Sequence, residues 1–70
     1  MTDEIAAIMK DLTQKYGAYK VAKVLHEVSA ETSREYAEAG NDGAIIHVDA
    51  RELGFAVNAM KRAHPLRAYE

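Results

Sequence analysis

Cysteine and tryptophan are absent from this 70-residue chain, and proline occurs once, at position 65. Without cysteine there are no disulfides and no thiolate metal sites. A single proline so near the end leaves almost the whole chain free of that helix breaker. Aromatics are few: four tyrosines and one phenylalanine. No apolar run approaches the roughly 18 residues of a membrane-spanning helix. The acidic start, Met1-Thr2-Asp3-Glu4, is unlike a signal peptide. These absences set the expectation of a soluble, cytoplasmic protein with no membrane contact. The net charge of −2 disfavours nucleic acid as a partner.

Alanine, glutamate, lysine and valine dominate what is present, and that composition points to the all-α class. Seventy residues make one domain, here a single helical domain over 1–70. A domain this small buries only about 60% of its unfolded surface. Its core alone supplies roughly 3–5 kcal/mol of net stability. Tight helix packing or association with a second subunit has to make up the difference.

The first helix has a clear start. Thr2 or Asp3 suits the N-cap, and Asp3 and Glu4 put negative charge at the positive end of the helix dipole. Ile5, Ile8, Met9, Leu12 and Tyr16 follow at spacings of three and four, one apolar stripe. Gly17 is placed to close the helix with a left-handed residue.

Between Gly17 and Gly40 there is neither glycine nor proline, so Ala18 to Ala39 is expected to be one helix. Val21, Val24, Leu25, Val28, Thr32, Tyr36 and Ala39 form its apolar stripe. Lys20, Lys23, Glu27, Glu31, Arg34, Glu35 and Glu38 form its outer face. Gly40-Asn41-Asp42-Gly43 is a strong stop and turn signal.

Ala44 to Val48 is ambiguous. Ile45, Ile46 and Val48 are β-branched, and an extended loop is the favoured conformation. The alternatives are a strand, which would need a pairing partner, or an early turn of helix 3. Asp49-Ala50-Arg51-Glu52 has the form of a capping-box start, with Val48 and Leu53 as a hydrophobic staple. Leu53, Ala56, Val57, Met60 and Ala63 then make the buried stripe. Gly54 sits inside this helix at about 1 kcal/mol below alanine in propensity. Either another backbone approaches it closely or the position is exposed. Lys61, Arg62 and His64 suit the helix C-terminus, and Pro65 ends it. Leu66 and Tyr69 could dock the tail.

The expected fold is therefore all-α: a small three-helix bundle with one long central helix and a short extended segment at 44–48. On this partition helix 2 is about 33 Å long and its neighbours about 21–23 Å. Short helices cannot cover the whole stripe of a long one, so a homodimer with helix 2 against its mate is expected.

Part of helix 2 carries a resemblance. Val21-Ala22-Lys23-Val24-Leu25, then Val28-Ser29-Ala30-Glu31-Thr32, then Arg34-Glu35-Tyr36-Ala37, resembles a helix-turn-helix of the phage-repressor and resolvase kind. The resemblance implies a DNA-binding regulator reading through residues 21–37. The chain departs from the pattern where the turn glycine belongs: His26-Glu27 stands there, one residue too many. The implied recognition helix also carries Glu31, Glu35 and Glu38 against one arginine, Arg34. Carboxylates repel the phosphates that normally supply most of the affinity.

Other chemistry has little footing. His26, His47 and His64 lie on separate segments without ligand spacing, so no metal or cofactor is expected. There is no nucleophile elbow and no phosphate loop. Ser29 and Ser33 are placed to bond back to helix carbonyls. No catalytic residue is assigned, and the chain is expected to be a non-enzymatic accessory protein working through protein contact. The candidate interface residues are Val28, Thr32 and Tyr36 on the helix 2 stripe, with Tyr19 and Phe55 as off-stripe aromatics.

Overall fold

In the computed structural model, which describes residues 2–64, the chain is three α-helices: α1 (Thr2–Tyr16), α2 (Ala18–Glu38) and α3 (Ala44–Ala63). No strand occurs among the described residues. Pro65, Leu66 and Tyr69 lie outside them. The all-α, three-helix expectation is met.

Thr2 and Asp3 both fall inside α1, so neither is its N-cap; Asp3 and Glu4 occupy its first turn as expected. Gly17 joins α1 to α2 with no loop. Its amide donates to the Thr13 carbonyl at 2.8 Å, and its own carbonyl accepts the first bond of α2, from Val21, at 3.2 Å. Its φ of 85° and ψ of 154° lie in a region open essentially to glycine alone, not in the left-handed helical region. Glycine here sets the angle between two helices.

The end of α2 is a Schellman motif. The Gly40 amide donates to the Ala37 carbonyl at 3.1 Å, and the Asn41 amide to the Tyr36 carbonyl at 2.8 Å. The chain then reverses. Asp42 Oδ1 accepts the Ala44 amide at 3.0 Å, and the Gly43 carbonyl accepts the His47 amide at 2.9 Å.

These bonds correct one expectation. Residues 44–48 are not extended; they are the first turn of α3, and Asp49 and Val48 sit within the helix rather than ahead of it. Asp42, not Asp49, satisfies the orphan amide. The β-branched run does not prevail because β propensity reflects packing on a sheet, and there is none among the described residues. Ile46 is half-buried four residues before buried Ala50, which continues the helical period.

The correction changes the lengths. At 1.5 Å per residue, α2 is about 31 Å long, α3 about 30 Å and α1 about 22 Å. α3 therefore runs beside α2 for most of its length, and the two form an antiparallel hairpin. Among the described residues α1 packs only on α2; no Cα of α1 approaches α3 within 8 Å. No helix of the described residues is long and apolar enough to cross a membrane.

Candidate functional site: an apolar groove between α1 and α2

The hairpin packs through a mixed set of side chains, aromatic, aliphatic and polar. Tyr19, Ser33, Ala50 and Val57 are its buried residues. His26 Nδ1 lies 2.7 Å from the Ala50 carbonyl oxygen. A carbonyl only accepts, so Nδ1 carries the proton and donates. Ser33 Oγ reaches toward the Gly43 carbonyl at 3.4 Å. The paired numbers 33 with 43 and 26 with 50 share one sum, and the same antiparallel register sets Tyr19 level with Val57. The face of α2 turned to α3 is thus Tyr19, His26 and Ser33, at the seven-residue spacing of one helix side.

That places the expected stripe of α2 elsewhere. Val24, Leu25, Val28 and Tyr36 remain exposed, Val28 at 51%. They share the side of α2 that carries Val21, not the side that meets α3. The length imbalance is gone, but the coverage problem remains in another form. α3 is long enough to cover α2 and covers the wrong face.

Together with α1, this uncovered side makes a groove of about 330 Å³. Met9, Leu12 and Tyr16 line it from α1, and Lys20, Val21, Val24, Leu25 and Val28 from α2. Every lining side chain but Lys20 is apolar or aromatic. The α1 stripe continues past the groove in Ile5 and Ile8, both exposed, Ile5 at 62%. Exposed apolar surface this continuous marks interaction sites in soluble proteins.

Of the five interface candidates, Tyr19 is 5% exposed and belongs to the hairpin interior. Thr32 is half-buried, and its hydroxyl donates back to the Val28 carbonyl at 2.8 Å. Val28 lines the groove. Tyr36 is exposed on α2 near the turn into α3. Phe55 is exposed on α3, with Ile45 and Val48 on the same helix. The structure therefore brings only Val28 into the groove. The groove residues of α1 were on the predicted stripe of that helix but were not singled out.

Helix α2 runs without a turn through His26 and Glu27, so residues 21–37 do not form a helix-turn-helix. Among the described residues no three histidine, aspartate or glutamate side chains come together as a metal-binding group. Ser33 spends its hydroxyl on the hairpin turn rather than on a carbonyl of its own helix. No protein-family model, no curated protein and no solved structure matches the chain.

Proposed function

We propose that this chain is a small accessory protein that works by protein contact rather than catalysis, and that it associates with itself through the α1–α2 groove. The observation that carries this is the inverted packing of α2. The side bearing Tyr19, His26 and Ser33 meets α3, while Val24, Leu25 and Val28 stay open to solvent. Burying apolar area gains roughly 25 cal/mol per Å², so an uncovered stripe of this size favours association. A chain with so small an interior gains stability from the same event. A cytoplasmic setting belongs to the proposal and rests on the cysteine-free composition.

Light scattering at high micromolar concentration tests it. The expected result is a dimer for the natural chain and a monomer of lower helicity for Leu25→Glu. A natural chain that is monomeric with full helicity contradicts self-association. Strong salt-dependent binding to random duplex DNA would favour the rival reading, a DNA-binding regulator.

A further inference from the structure

The groove says that something covers it; the charges on α1 say what and in which direction. We infer that the occupant is α1 of a second copy, laid antiparallel to the first across a two-fold axis near Met9. This rests on the self-association proposed above and specifies its geometry.

Three observations lead there. First, α1 has 15 residues and, among the described residues, touches only α2. Isolated helices of about this length are marginal in water, so α1 needs a further surface to stand on. Second, its stripe runs continuously from the groove lining at Leu12 and Met9 to exposed Ile8 and Ile5. A helix seated in the groove would cover both parts at once. A second α1 has the matching stripe, and two-fold symmetry lets each copy fill the other's groove.

Third, the charge pattern picks the direction. Glu4 and Lys15 are eleven residues apart, so at 3.6 residues per turn they lie about 20° apart around the axis. Both flank the apolar stripe on the same side. In an antiparallel pair like flanks meet, so Glu4 of each copy faces Lys15 of the other. A parallel pair would bring like helix ends together and set the flank of Glu4 and Lys15 against the uncharged flank of Ala6 and Thr13. Lys15 already contacts Asp11 at 3.0 Å on this flank. Its ammonium has three donors, and it is exposed enough to take a second carboxylate. Lys20 on the groove rim adds positive charge near the same end.

Single cysteines test the direction, because the chain has none of its own. Lys15→Cys and Glu4→Cys are exposed positions, and a short bismaleimide linker joins only thiols that lie close. In the antiparallel pair the two copies of position 15 are about 17 Å apart along the helices, from 1.5 Å per residue on either side of the axis. The expected result is crosslinked dimer from a mixture of Glu4→Cys and Lys15→Cys and none from Lys15→Cys alone. Crosslinking of Lys15→Cys alone overturns the antiparallel seating. So does failure of the mixture to crosslink while light scattering still reports a dimer; the proposed self-association then stands without this geometry. A monomeric natural chain overturns both. Charge reversal gives a second readout. Glu4→Lys or Lys15→Glu alone should weaken the dimer roughly threefold to tenfold, and the double variant should restore it. Additive weakening in the double variant contradicts the pairing.

Discussion

The His26 imidazole donates from Nδ1 to the Ala50 carbonyl oxygen across the hairpin at 2.7 Å, and its ring edge lies over Gly54. A Cβ placed on Gly54 would come within 2.9 Å of His26 Cε1. The hydrogen bond fixes the ring, and the missing side chain gives the ring its space. Of the two reasons weighed for a glycine inside α3, close approach is the correct one. What approaches is a side chain of α2 rather than its backbone.

Gly54→Ala should therefore behave differently in two backgrounds. In the natural chain the gain in helix propensity, about 1 kcal/mol, is offset by displacing the ring and losing a bond worth about 1 kcal/mol. With His26→Ala already in place, Gly54→Ala should stabilise by the full propensity difference. A double-mutant cycle in urea should find a coupling of roughly 1–2 kcal/mol. Coupling near zero would mean that the ring does not pack on Gly54.

Gly17→Ala should destabilise by about 1–3 kcal/mol through backbone strain alone. Nothing lies within 4 Å of the added Cβ, so crowding contributes nothing. Relief would come from a changed angle between α1 and α2, which deforms the groove. Self-association measured by sedimentation should weaken along with thermal stability. An unchanged dimer would separate the groove from the Gly17 hinge.

Asp42→Ala removes the acceptor for the Ala44 amide at the start of α3. The expected loss is about 1 kcal/mol, as for other helix-start acceptors, with fraying confined to residues 44–48 in amide exchange. Asp49→Ala, at the position that sequence pattern favoured, should cost much less because Asp49 lies within the helix and is exposed. Equal losses would contradict a helix beginning at Ala44.

Val28→Lys separates a monomer from an associated chain. A lysine at a half-exposed valine on a monomer's surface changes stability by no more than about 0.5 kcal/mol. In a filled groove the same charge is buried without a partner. Dimer dissociation should then rise by about a hundredfold, an effect of roughly 3 kcal/mol.

Helix existence and the turns were legible because their signals are local. Gly17 and the Gly40-to-Gly43 run mark both junctions, and the three-and-four spacing marks each helix. The start of α3 was misread through its β-branched residues, although the period that joins Ala50 to Leu53 and Val57 extends backward to Ile46. The facing of α2 was not legible at all. An apolar stripe shows that a face must be covered but not by which partner. Here α3 takes the side bearing Tyr19, His26 and Ser33, where Ala50 and Gly54 of α3 leave room for the His26 ring and its hydrogen bond. The pattern put Val24, Leu25 and Val28 on a stripe to be covered by a neighbouring helix or a second subunit, and in the single chain they form the wall of an open groove.

Sedimentation equilibrium of the natural chain, with helicity followed by circular dichroism over the same concentrations, tests self-association most directly. The predicted result is a reversible shift from the 7.7 kDa chain to twice that mass, with helicity rising as the dimer forms. A single 7.7 kDa species, fully helical up to high micromolar concentration, would contradict it.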